Sequence, residues 1–371
     1  MSGAHEHKPV REERQPARDE IEEVVPGVLR LQLPISFPGL GHVNCYAMED
    51  KQGVALIDPG LPGPKTSRLL ADRLKQAGLS INRVHTVVVT HSHPDHFGQV
   101  PHLKRKSQAE IITHRHFRTL LDPTAEMDDE VLTTTLEDAE AAVPVGPDRD
   151  IDRPLNPRQR GFWRETPWGG KPYEIPITRR IAYRVQAFAA GRFMATPSPT
   201  RRVSDADRIM LGDKEWIAVH SPGHTRDHLC LWDAEGGTMI SGDHVLPTIT
   251  PHISGLGETK DPLADFFNSL DRMTTFAGVN TVLPAHGLDF SDLGGRVTAI
   301  KRHHEERLET LREASGDLGV GTVEEYMKRL FIEKSWSSMA ESETFAHLEH
   351  LRFLGEAEAH RDDEFLRYEV K

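Results

Sequence analysis

The sequence predicts an α/β fold built around a metal centre, and three observations predict it. Short apolar, β-branched runs alternate with stretches of helical period, with Pro and Gly turns between them. One such run, Val84 to Val89, ends in Thr90-His91-Ser92-His93-Pro94-Asp95-His96, so three imidazoles and a carboxylate leave the end of a buried strand together. Three later runs end in the same way, in a Gly or Pro turn tipped by His or Asp: Ser221-Pro222-Gly223-His224, Gly242-Asp243-His244 and Pro284-Ala285-His286-Gly287.

In chain order, Met1 to Glu20 is polar, charged and without an apolar core segment; it reads as a disordered tail, neither signal peptide nor anchor. Val24 to Leu33, His42 to Met48 and Val54 to Asp58 read as antiparallel strands, followed by a turn at Asp58-Pro59-Gly60. Lys65 to Ala77 places Leu69, Leu70 and Leu74 on one helical face and stops at Gly78. After the His-rich loop, Phe97 to Lys106 predicts a helix and Glu110 to Thr113 a strand.

From Leu121 to about Asp205 the chain is dense in proline, which excludes a regular core element and predicts an inserted lid. Between Arg149 and Arg208, thirteen Arg or Lys face six Asp or Glu, a basic island in an acidic chain. Strands resume at Arg208 to Leu211, Glu215 to His220, Leu229 to Trp232, Thr238 to Ser241 and Asn280 to Leu283. Helical patterns then cover Asp292 to Glu313, Thr322 to Leu330 and Glu341 to Leu354. A hairpin is expected from Gly355 to Ala359 and Glu364 to Val370, giving the order of a winged-helix module. The expected organisation is a tail at 1–20, a catalytic domain at 21–305 with its insertion at about 121–205, and a C-terminal module at 306–371.

Composition narrows the function. The 371 residues suffice for a large domain and a small one, and no apolar stretch is long enough to span a membrane. A net charge of −12 suits a nucleic-acid backbone poorly, which counts against a nuclease without removing it. Two cysteines, Cys45 and Cys230, lack metal-ligand spacing and read as buried thiols in a reducing cytoplasm.

The His-rich loop carries the chemistry. His91 and His93, two apart in extended chain, can point the same way, whereas the adjacent Asp95 and His96 must diverge, so one loop can serve two ions. Imidazole and carboxylate at this density favour zinc, with iron and manganese left open.

Taken together, HSHPDH at 91–96, SPGHT at 221–225, SGDH at 241–244 and PAHG at 284–287 resemble the motifs of the metallo-β-lactamase superfamily, in the right order, with Asp58-Pro59-Gly60 as its early turn. The resemblance extends from Glu23 to about Glu306 and implies an αββα sandwich with a metal pair in the cleft between its loops. It implies that His91, His93 and His224 hold one ion, Asp95, His96 and His286 the other, and that Asp243 bridges them: two Zn2+ per chain, or Fe or Mn. A metal-bridging hydroxide would then attack a carbonyl or phosphoryl centre, with Asp95 orienting it. The superfamily's β-lactamases often carry Cys in place of Asp243, so antibiotic cleavage is not expected. The glyoxalase II and lactamase-β-like branches resemble this chain better.

Two functions follow. The first is hydrolysis of a small ester, thioester or lactone, for which the basic island would suit an anionic substrate; the second is a phosphodiesterase or endoribonuclease of the lactamase-β-like type, for which the basic island would contact phosphates. A third, DNA binding through the C-terminal module, is opposed by that module's many Glu and Asp, and packing, homodimer formation or covering the cleft suits it better. Among other histidines, His114, His116, His303 and His304 read as surface residues, Asp58 as orienting its loop, and His228 and His244 as either supporting the centre or merely structural.

Overall fold

The computed structural model describes residues 11–37, 39–119, 166–170, 198–256 and 259–371. β1 (Glu22–Val25) and β2 (Val28–Phe37) form a hairpin where one strand was expected, because Gly27 turns the chain at φ +78°. β3 (Leu40–Glu49) and β4 (Val54–Ile57) continue the antiparallel run. Helix α1 (Pro64–Gln76) crosses over to β5 (Val84–Val88), parallel to β4. The helix expected after the His-rich loop is two pieces, α2 (Pro94–Phe97) and α3 (Val100–Ser107), before β6 (Glu110–His114).

β7 (Arg201–Val203) pairs in parallel with β6 and completes a seven-stranded sheet, so the insertion ends before residue 201, not at 205. Of the expected lid, only 166–170 and 198–200 are described; its remaining residues, and any role for Arg179 and Arg180, lie outside the described residues. The second sheet holds β8 (Arg208–Leu211), β9 (Lys214–His220), β10 (Leu229–Asp233), β11 (Thr238–Gly242) and β12 (Thr281–Pro284) in the order β12-β11-β10-β9-β8.

The crossover between the parallel strands β11 and β12 is α4 (Pro262–Met273), which the sequence reading missed. Its signals were present: Asp261 accepts from Ala264 N at 2.9 Å as N-cap, Pro262 opens the helix, and Leu263, Phe266, Leu270 and Met273 share a buried face. Then follow α5 (Leu293–Leu318), β13 (Val320–Thr322), α6 (Val323–Leu330), α7 (Ser338–Phe353), β14 (Ala357–Arg361) and β15 (Leu366–Val370), the last two strands pairing with β13 in a small sheet.

Strand alternation explains the layers. On β3, Tyr46 and Met48 face the second sheet and pack with Trp216, Leu229 and Leu283, while Cys45 and Ala47 face α1 and α3. Both faces of the strand are therefore covered, which is why Val43 to Met48 is buried without a break. Burial raises both thiols, Cys230 to about 12, so neither is a ready nucleophile.

Two expected boundaries do not survive. Arg11 to Glu20 is not a free tail: Glu13 is fully buried, accepting from Thr248 N at 2.7 Å, Ile249 N at 3.0 Å and the Thr248 hydroxyl. Partners more than 200 residues away order it, which no local pattern reveals. The division at 305/306 falls inside the unbroken α5, whose Leu308 and Leu311 share one core with Ile300, Tyr326, Leu351 and Tyr368. The C-terminal helices and hairpin are thus packed onto the sandwich rather than set apart from it. No described helix is long and apolar enough to cross a membrane.

Candidate metal centre

The centre forms where β4, β5, β9, β11 and β12 all deliver their loops to one edge of the sandwich. Asp58, just past β4, adopts φ +53°, a conformation Asp tolerates better than most residues, and turns its carboxylate under the His-rich loop. It accepts from Thr90 N at 2.9 Å, Thr90 Oγ1 at 2.7 Å and His96 Nδ1 at 2.8 Å. One buried carboxylate thus fixes both the path of the loop and the orientation of His96. The single turn of α2 then carries Asp95 and His96, while His91 and His93 precede it.

All seven residues named from the sequence converge, in two groups. In the first, His93 Nδ1 lies 2.9 Å from His91 Nε2 and 3.2 Å from His224 Nε2, and Asp243 Oδ2 lies 3.8 and 3.6 Å from those two Nε2 atoms. In the second, Asp95 Oδ2 is 3.6 Å from both His96 Nε2 and His286 Nε2. Asp243 reaches this group too, with Oδ2 at 3.6 Å from His96 Nε2 and Oδ1 at 3.2 Å from His286 Nε2. Donor pairs around a tetrahedral zinc stand roughly 3.3 Å apart, given bonds of about 2.0–2.1 Å, so these spacings suit a divalent ion in each group.

The donors' other sides also fit metal. His96 Nε2, His286 Nε2 and Asp243 Oδ1 are buried without a hydrogen-bond partner, an arrangement that is costly unless an ion takes their lone pairs. The opposite ring nitrogens are held: His91 Nδ1 by Thr90 Oγ1 at 3.1 Å, His224 Nδ1 by His252 O at 2.7 Å, and His286 Nδ1 by His42 O at 2.6 Å. Donation to a carbonyl or carboxylate leaves Nε2 deprotonated and aimed inward.

Burial pushes His91 far below the ordinary imidazole range and His93 down to about 3, so both offer lone pairs at neutral pH. Burial opposes charge on His96 and His286 as well, but Asp95, Asp58 and Asp243 outweigh it at His96, and Asp243 and Asp95 at His286, and both are raised. Asp243 is held well below the usual carboxylate range because His286 and His96 overcome its burial.

The remaining histidines sort by contact. His228 Nε2 accepts from Asp243 N at 3.0 Å and Nδ1 meets Ser221 Oγ at 2.8 Å, so it fixes the backbone that carries Asp243. His244 is buried edge-on against Phe266 and joins neither group. His114, expected at the surface, is buried and stacks on His220 at 3.9 Å; burial lowers it to about 2. His304 is likewise buried, its Nδ1 3.0 Å from His347 Nε2, because α7 covers that face of α5. Sequence reading missed His42 and His252, which act through backbone carbonyls and so leave no side-chain signature.

Gly223 shows how tightly the His224 loop is built. At φ +133°, a Cβ there would sit 2.4 Å from Phe266 Cα. Gly223→Ala should lower stability by roughly 2–4 kcal/mol in denaturant titrations, from backbone strain and overpacking.

The profile of the metallo-beta-lactamase superfamily matches residues 38–286, a span containing all seven candidate donors. The chain belongs to this superfamily. It is 23% identical over 297 residues to "Probable metallo-hydrolase YqjP" of Bacillus subtilis, covering 78% of this chain and 79% of that protein. It is 27% identical over 210 residues to "Acyl-coenzyme A thioesterase MBLAC2" of Gallus gallus, covering 55% of this chain and 58% of the relative. A solved structure of a beta-lactamase domain protein from Burkholderia ambifaria superposes with TM-score 0.70 at 25% identity, over 96% of each chain. As a member of the metallo-beta-lactamase superfamily the protein is a hydrolase, and membership implies divalent-metal binding, for which the clustered His and Asp residues are the candidate site.

Proposed function

We propose that this metallo-beta-lactamase superfamily member is a dinuclear metal-dependent hydrolase of a small acyl substrate, with a thioester the favoured class. The observation that carries the two-metal reading is Asp243, whose one carboxylate is in reach of both groups, its Oδ2 near His91 and His224 of the first, and its Oδ2 and Oδ1 near His96 and His286 of the second. His91, His93 and His224 would hold one ion and Asp95, His96 and His286 the other, with Asp243 shared. Zinc is the favoured metal on donor type.

When bound, such ions supply a water nucleophile active near neutral pH and polarise the acyl oxygen. The chain's own residues set the geometry. Asp95, whose Oδ2 lies 3.6 Å from His96 Nε2 and His286 Nε2, would also orient the attacking water. Asp58, Thr90, His42 and His252 keep the donor rings fixed, so orientation is built in before substrate arrives. Likeness to a thioesterase supports the acyl class, and the acid balance of the chain supports a compact substrate over RNA.

Elemental analysis of the purified protein, with turnover of an aryl ester, an acyl thioester, a lactone, a bis-aryl phosphodiester and single-stranded RNA, tests the proposal. About two zinc per chain with acyl turnover is expected. Turnover confined to the phosphodiester or RNA would promote the nuclease reading, and a single iron would overturn the hydrolytic mechanism.

A further inference from the structure

We propose that the C-terminal helix α7 is part of the metal centre's support: Glu343 holds His252 so that its main-chain carbonyl orients the donor His224. The inference rests on the metal-binding reading above and concerns how one of its donor groups is held.

His224 Nδ1 donates to His252 O at 2.7 Å, and this leaves His224 Nε2 free to face the first donor group. The loop that supplies the carbonyl runs between β11 and α4, and Ile249 to Gly255 contains no helix or strand of its own. Its conformation comes from α7. His252 Nδ1 meets Glu343 Oε2 at 3.1 Å, and the other carboxylate oxygen accepts from Arg307 Nη1 of α5 at 2.7 Å, which fixes Glu343 in turn. One residue earlier, Ser342 takes Gly255 N on both its carbonyl and its hydroxyl, each at 3.1 Å, and its hydroxyl also meets Ser254 Oγ at 3.0 Å. Gly255 itself lies so close to α7 that a Cβ would sit 2.5 Å from the Phe345 ring.

The other donor imidazoles with a held second nitrogen take it from within the sandwich: Thr90 for His91, Asp58 for His96, His42 for His286. His224 depends on a loop templated by the C-terminal helix. This accounts for a module fused to the sandwich through α5 rather than tethered to it.

Glu343 also lies beside His304 and His347, and the three could surround a further cation. Both Glu343 oxygens are already engaged by His252 and Arg307, and His304 Nδ1 lies 3.0 Å from His347 Nε2, a spacing that one shared proton satisfies. The trio therefore serves as the anchor of the network.

The test is a cobalt(II) and zinc titration of the full chain against a chromophoric chelator, with Glu343→Ala, Glu343→Gln, His252→Ala and the Glu343→Ala/His252→Ala double variant. Glu343→Ala should weaken one metal equivalent by about 10–100-fold, as for loss of an outer-sphere partner. The other equivalent and the thermal transition of the metal-free protein should change little. His252→Ala, which keeps the carbonyl but loses the hook, should match it, the double variant should be no worse, and Glu343→Gln, with one acceptor left, should fall between. The cobalt visible bands of the weakened equivalent should shift.

Wild-type affinity for every equivalent in both Glu343→Ala and His252→Ala would overturn the proposal, as would loss of a third equivalent with the other two untouched. If Glu343→Ala fails to fold, His252→Ala decides alone. Wild-type stoichiometry is read in the same titration. Fewer than two equivalents there would sink the dinuclear reading, while the comparison at the remaining ion still decides the role of α7.

Discussion

Asp243→Ala should reduce hydrolysis by at least about 1,000-fold, the loss of roughly 4 kcal/mol of transition-state stabilisation expected when a shared metal position fails. On the proposed dinuclear assignment it should also drop metal content from two ions per chain to one or none. Asp243 lies in reach of both groups, so on the proposed assignment its removal takes an anionic ligand from each. It also removes one of the carboxylates that raise His96 and His286, so both shift toward the neutral ring that burial favours. The backbone should hold, since His228 accepts the Asp243 amide rather than its side chain. Metal analysis, kcat/KM and a thermal melt on one preparation check this. Full activity with two ions retained would end the bridging role of Asp243.

How much of this was legible in the sequence depends on what each residue acts through. The convergence of the seven candidate donors was legible because a metal ligand must present its own side chain, and short apolar strands ending in His or Asp announce where such side chains emerge. Asp58 was legible as an orienting residue from its place in an Asp-Pro-Gly turn, though not its three simultaneous hydrogen bonds. His42 and His252 were not, because a carbonyl has no residue-type signature. His114 and His304 were misjudged for a different reason. Each sits among charged or polar neighbours, a local context that predicts exposure, and each is buried by an element distant in sequence: His114 against His220, His304 beneath α7. Helix α4 was missed although its capping Asp-Pro and apolar period were present, because it lies between two strand ends and carries no His or Asp tip of the kind that marks them.

Asp58→Asn should keep the fold and weaken the proposed metal position at Asp95, His96 and His286, for a reason that lies in proton counting. The carboxylate accepts three hydrogen bonds, from Thr90 N, Thr90 Oγ1 and His96 Nδ1, and an ionised Asp has no proton to place. An Asn has one acceptor oxygen and one NH2. With the oxygen toward Thr90 N, the NH2 faces His96 Nδ1, which must then give up its proton; the ring's hydrogen moves to Nε2 and points at the metal position. With the amide reversed, NH2 confronts the Thr90 N–H, two donors face to face in a buried site. The first arrangement costs less in folding and more in metal binding. Metal affinity at the Asp95–His96–His286 group should fall about 10–100-fold, with a parallel drop in kcat/KM. Folding stability should fall by roughly 1–3 kcal/mol, against roughly 3–5 for Asp58→Ala, which leaves three buried donors unanswered. Chelator competition and chemical denaturation separate the two effects. An Asp58→Asn protein that binds both ions as tightly as the wild type would mean that His96 is oriented by its packing, and that Asp58 serves only to shape the loop.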